Sequence, residues 1–204
     1  VGLGEATYSQ KEPVVVAAIN HIKEELIGED PARIEYLWHK IYRISSLSGI
    51  WRMSGPIWMS AMSGIDQALW DIKGKVANLP VFELLGGKFR DRVEVYTHFN
   101  GSTPEDSAQM ARKMVDQGYK ALKGGAQSRG GHRFDQYSDD GNPPETAAHF
   151  AAVREAVGPD IKLLIDCHGR FTVTNCIRLA RALEACNLYV FEDPVPPEDL
   201  NAYP

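Results

Sequence analysis

Residues 89–204 alternate between two hydrophobic periods, and that alternation limits the fold more than any other feature. Four short runs read as strands: VEVYTHF (93–99), YKALK (119–123), IKLLID (161–166) and LYVFED (188–193). Between them lie three stretches with helical spacing, PEDSAQMARKMVDQG, PPETAAHFAAVREAVG and TVTNCIRLARALEAC, the first two closed by Gly118 and Gly158. An order of β-α-β-α-β-α-β calls for parallel strands joined by right-handed crossovers. Two α/β architectures satisfy it, an open doubly wound sheet and a (β/α)8 barrel.

The first 88 residues have a different rhythm. EPVVVAAINHIKEELI (12–27) shows helical spacing, and Pro31 opens a second helix, PARIEYLWHKIYRIS. SLSGIWRMSGP reads as a loop. MSAMSGIDQALWDIKGKVAN (59–78) is a long helix whose Ala61, Ser63, Gly64 and Ala68 permit close packing, and VFELLGG ends the region on glycines. VGLGEATYS (1–9) reads as the tail of a strand. Its Gly2 and Gly4 lack the third glycine or the GK[ST] of a phosphate loop. Two units are therefore expected, 1–88 and 89–204, the first mostly helical.

Charge and composition narrow the partners. A net charge of −5 gives no electrostatic footprint for nucleic acid or an anionic membrane. No apolar run approaches the ~20 residues of a membrane span. The three cysteines, Cys167, Cys176 and Cys186, form no CxxC pair, which suits a reducing cytoplasm.

The chemistry gathers at strand ends. IKLLID closes on Asp166 and LYVFED carries Glu192, and in parallel α/β folds ligands bind at the carboxyl ends of strands. Adjacent strands lie about 4.8 Å apart, so the two carboxylates can share one cation, and an all-oxygen donor set favours Mg²⁺ over Zn²⁺. Strand-end acids also commonly cap the following helix, so both roles stay open. His168 lies two residues beyond Asp166. Continued strand geometry would put both on one side and Cys167 on the other, with His168 either placed to move protons or satisfied by a backbone carbonyl. Arg170 suits a carboxylate substrate or the rim of the fold. Lys123, near the end of its strand, is a candidate base, anion contact or rim lysine. The long connection from Gly124 to Pro143 carries Arg129, His132, Arg133 and Tyr137, and reads equally as a lid over that mouth or as a merely floppy loop.

Taken together, GPIWMSAMSGIDQALWDIKGKVANLPVFELLGG, LLIDCHGRF and VFEDPVPPED resemble, in order and over nearly the whole chain, the enolase superfamily. The resemblance is to the mandelate racemase/muconate lactonizing branch, near the galactonate- and mannonate-type acid-sugar dehydratases. It implies an α+β capping domain (1–88) followed by the first half of a (β/α)7β barrel (89–204). It implies Mg²⁺ held by Asp166 and Glu192, with Asp193 set behind them, and His168 as the general acid that protonates a departing hydroxyl. Relatives with a Lys-x-Lys motif carry a base at its second lysine. Here Lys123 fills the first place and Gly125 the second, which favours dehydration of a sugar acid to a 2-keto-3-deoxy acid through α-proton abstraction and an enediolate. A racemase or epimerase, or a non-catalytic metal-binding member, are the alternatives. Lys123, Arg170 and Tyr137 are the expected substrate contacts. Homo-oligomerisation is expected by the same analogy. The third metal ligand and the base are expected on later strands, so the chain reads as a segment of a longer enzyme.

Overall fold

A computed structural model describes residues 1–44, 55–126 and 143–196. The chain divides into two compact units, Val1–Asp91 and Arg92–Pro204.

In the first unit, helices α1 (Glu12–Leu26), α2 (Ile34–Ile44) and α3 (Pro56–Ala77) are followed by the short α4 (Val81–Leu84). The helices bury apolar stripes. Val15 and Ile22 of α1 and Ile34, Leu37 and Ile41 of α2 follow helical spacing, and they pack with Ala61, Met62 and Leu69 of α3. α2 starts three residues later than Pro31 suggests. Asp30 takes the backbone N–H of Ala32 on its side chain and that of Arg33 on its carbonyl, so Pro31 and Ala32 form a turn. At the far end of α3, Asn78 adopts a left-handed conformation (φ 53°) and its N–H bonds back to the last turn.

The N-terminal segment is not a strand. Residues 1–8 run extended along α3, and side chains rather than a ladder satisfy the backbone: Leu3 N–H donates to Asp71 Oδ2 (2.8 Å) and Glu5 N–H to Gln67 Oε1 (3.0 Å). A Cβ on Gly2 would strike the carbonyl of Ala68, and one on Gly4 that of Gly64. These glycines serve close backbone approach, and the small residues of α3 are the other half of the same contact.

Among its described residues the second unit holds a four-stranded parallel sheet in the order β1 (Thr97–His98), β2 (Ala121–Gly125), β3 (Lys162–Asp166), β4 (Val190–Glu192). Helices α5 (Pro104–Asp116), α6 (Pro143–Val157) and α7 (Val173–Leu183) are the crossovers. The two sequence-compatible architectures now separate. A doubly wound sheet reverses its strand order at a switch point, whereas this order runs straight through, with α6 packed against both α5 and α7, as in a barrel wall. Leu122, Leu163, Ile165 and Cys167 share one buried layer with Phe99, Phe150, Val153, Leu179 and Leu183. Thr103 and Thr172 cap α5 and α7, accepting from the N–H groups of Asp106 (3.1 Å) and Asn175 (3.3 Å).

Two strand boundaries differ from the sequence reading. The first strand shrinks from 93–99 to two residues. The second shifts two residues forward, because Gly124 and Gly125 pair with Ile165 and Asp166. Pairing with β3 carries two glycines into a strand that their propensity alone would end.

Candidate active site

The carboxyl ends of β2, β3 and β4 converge on three acids. Asp166 is the last residue of β3 and lies level with Glu192, the last of β4. Asp166, Glu192 and Asp193 each offer a carboxylate oxygen, all within 4.8 Å of one another; Asp166 is buried, Glu192 half-buried and Asp193 exposed. The resemblance sets Asp193 behind the other two, whereas its oxygen here belongs to the same cluster.

Lys123 reaches this cluster from β2. Its Nζ lies 2.8 Å from Asp166 Oδ2 and 2.7 Å from Glu192 Oε2, and the residue is only 6% exposed. It is neither at the strand terminus nor on the rim: register places it opposite Leu164, two residues below the level of Asp166. Burial works to lower the pKa of this ammonium, but its bonds to Asp166 and Glu192 outweigh that and hold it well above the ordinary lysine value. For Asp166, burial works to raise the pKa; the bond from Lys123 and the His168 N–H outweigh it and hold the carboxyl below the usual aspartate value.

His168 reaches Asp166 by a different route from continued strand geometry. The strand stops at Asp166, and His168 (φ 52°) and Gly169 (φ 62°) form a left-handed turn. The His168 N–H donates to Asp166 Oδ1 (3.0 Å), while its Nε2 lies 3.3 Å from Asp166 Oδ2 with the side chain 56% exposed. Cys167 is fully buried in the layer facing the helices, as period two requires. Asp193 is also left-handed (φ 44°), and its carbonyl accepts from Gly169 N–H (2.8 Å), locking the two turns together. Non-glycine residues held in this region at two adjacent strand ends mark a place where the fold sustains strain to aim side chains.

A cavity of about 440 Å³ opens over these groups, lined by His98, Asn100, Lys123, Asp166, His168 and Arg170 among others. Tyr137 and its neighbouring loop residues lie outside the described residues. His98 and Asn100 escaped the sequence reading. The strand-end rule that selected Asp166 and Glu192 selects His98 too, once YTHFNG is recognised as the end of β1. The adjacent glycines of β2 differ in kind. A Cβ on Gly124 would lie 2.5 Å from Phe99 Cζ, whereas one on Gly125 meets nothing within 4 Å. The absence of a second lysine at residue 125 is therefore not imposed by packing.

The donor set fits a hard divalent cation. It consists of carboxylate oxygens alone, and Asp166 and Glu192 already converge on one positive charge, the Lys123 ammonium.

Residues 1–86 match the family model of the mandelate racemase / muconate lactonizing enzyme N-terminal domain, and residues 106–204 the one described as enolase C-terminal domain-like. A D-galactonate dehydratase family member from Enterococcus gallinarum is 38% identical over 211 residues, covering 98% of this chain and 51% of the relative. A D-mannonate dehydratase from a Sphingomonas species is 39% identical over 223 residues, covering 99% of this chain and 54% of the relative. The crystal structure of an enolase from Pantoea ananatis with bound D-gluconate and Mg superposes with a TM-score of 0.79 at 36% identity, covering 98% of this chain and 54% of that one. The chain spans about half the length of the curated relatives it matches. It belongs to the mandelate racemase / muconate lactonizing enzyme family of the enolase superfamily.

Proposed function

We propose that this chain carries the metal-holding and proton-donating groups of a Mg²⁺-dependent hydro-lyase that dehydrates a sugar acid. The observation that carries the reading is that Asp166 belongs at once to a carboxylate cluster with Glu192 and, paired with His168, to the wall of one cavity at the strand ends. The dehydratase names of its relatives and the gluconate and Mg bound by the Pantoea protein support it.

Asp166 and Glu192 would hold the metal, with Asp193 beside them. Bound there, Mg²⁺ supplies Lewis-acid stabilisation of the negative charge that develops on a substrate carboxylate when its α-proton leaves. The chain's own side chains do the rest. The His168 ring stands open to the cavity, where it can protonate the departing hydroxyl; hydroxide would otherwise be a poor leaving group. Arg170 on the wall offers a planar pair of donors to an anionic substrate. With Gly125 in place of a second lysine, β2 brings no lysine base to that position, which favours water loss over lysine-assisted racemisation.

The test is a panel of five- and six-carbon sugar acids incubated with the full-length parent protein and Mg²⁺, assayed for 2-keto-3-deoxy products. At least one acid should yield product. His168→Asn should lower turnover about 10²–10⁴-fold, the usual worth of a general acid, while Mg²⁺ still binds. Full activity in His168→Asn, or α-carbon deuterium exchange with no product from any acid, would overturn the reading.

A further inference from the structure

We propose that Lys123 is a built-in cation that holds the acid cluster together in the metal-free protein, and that a divalent metal displaces its ammonium into the cavity. This rests on the metal reading above and adds to it a counter-charge for the acid cluster that competes with the metal.

Three carboxylates within 4.8 Å of one another repel unless a positive charge lies among them. Lys123 supplies that charge, with Nζ 2.8 Å from Asp166 and 2.7 Å from Glu192. The fold makes the reach possible. Lys123 lies on the strand beside Asp166 but two residues lower, a rise of roughly 6.6 Å, which the four-methylene stem of lysine spans. The intervening same-face position is Gly125, where even a Cβ would meet nothing within 4 Å, so the path is clear. The ammonium also has a contact besides the carboxylates: the ring centroid of Tyr96 is 5.4 Å from Nζ, within range for an ammonium over an aromatic face. Lys123 also lines the cavity itself.

A metal ion on the oxygens of Asp166 and Glu192 would sit within a few ångströms of the ammonium, and like charges at that distance repel. The two cations therefore exclude one another from the shared carboxylates. Such exclusion is a coupling free energy, typically worth 5–150-fold in affinity. Metal affinity is then set partly by how tightly Lys123 holds the two carboxylates.

The experiment measures Mg²⁺ binding by calorimetry, and Mn²⁺ binding by electron paramagnetic resonance, in wild type, Lys123→Met and Lys123→Arg. Lys123→Met should bind either metal roughly tenfold more tightly than wild type, whereas Lys123→Arg, which keeps the charge, should stay near wild type. Equal or weaker binding by Lys123→Met overturns the proposal. A second measurement needs no variant. Acylation of Lys123 in the wild-type protein, followed by peptide mass spectrometry, should accelerate when Mg²⁺ is added; an unchanged or slower rate overturns it. A wild type that binds no Mg²⁺ refutes the proposed metal chemistry as well. A wild type that binds Mg²⁺ while Lys123→Met binds no more tightly refutes this inference alone.

Discussion

The adjacent glycines of β2 should respond to the same substitution in opposite directions. In Gly124→Ala the new methyl would lie 2.5 Å from Phe99 Cζ, 2.8 Å from Phe99 Cε2 and 3.0 Å from Phe150 Cζ. Carbon atoms in ordinary contact sit about 3.5–4.0 Å apart, so the rings would have to retreat by roughly an ångström. They have nowhere to go: Phe99 is 3% and Phe150 1% exposed, and the two are already packed edge to face with centroids 5.3 Å apart. Overpacking of this kind costs about 1–3 kcal/mol. Gly125→Ala meets open space, and restricting the unfolded chain should contribute about 0.4–1 kcal/mol of stability. Neighbouring methyls are thus expected to differ by roughly 1.5–4 kcal/mol. Urea denaturation of the two variants beside wild type tests this, with midpoints compared at equal slopes. If Gly124→Ala is as stable as Gly125→Ala, Gly124 is not held by the Phe99–Phe150 pair and the packing account is refuted.

Two further predictions concern groups that hold the second unit together. Arg154 donates to four backbone carbonyls, those of Gly158 (2.6 Å), Ile161 (2.7 Å), Cys186 (3.0 Å) and Asn187 (3.3 Å), tying the start of β3 to the turn before β4. Arg154→Met strands these acceptors and should cost about 2–4 kcal/mol at roughly 1 kcal/mol per bond; a loss under 0.5 kcal/mol by denaturant titration would show that water replaces the guanidinium at no cost. The Asp166–Lys123 pair should leave a signature at both pH extremes. Asp166 titrates lower in the folded state than unfolded, so its contribution is present above the usual aspartate value of about 3.9 and is lost as pH falls through the depressed folded value. Lys123 titrates higher when folded, so its contribution is complete below about 10.4 and is lost as pH rises through the folded value. Melting temperatures of Asp166→Asn measured against pH should lack the acid-side component, and an acid limb identical to wild type would contradict the pairing.

Local pattern made much of this molecule legible. Strands and helices of residues 89–204 alternate visibly, because period two and period 3.6 are written into short stretches of chain. Strand-end acids followed from the rule that parallel sheets present their carboxyl ends to ligands, and Asp166 and Glu192 do lie side by side there. Small residues on α3 pointed to close packing, and Gly64 meets Ala6 across it.

What escaped is what depends on partners distant in sequence. Residues 1–8 have the extended look of a strand, yet only the side chains of Asp71 and Gln67 show that the backbone is satisfied without a ladder. The run LKGG identifies a lysine and two glycines but not their register against β3. That register sends Gly124 into the Phe99–Phe150 layer, leaves Gly125 open and aims Lys123 at Asp166 and Glu192. The left-handed turn at His168 is equally invisible in DCHGR, since the carbonyl of Asp193, just past the end of β4, helps to hold it. Which elements form, and which carboxylates stand at their ends, can be read from short stretches of chain, because burial periodicity and strand polarity are local properties. That a lysine completes the acid cluster emerges only in the assembled sheet, because an ion pair forms where register brings charges together, and register is a property of two strands at once.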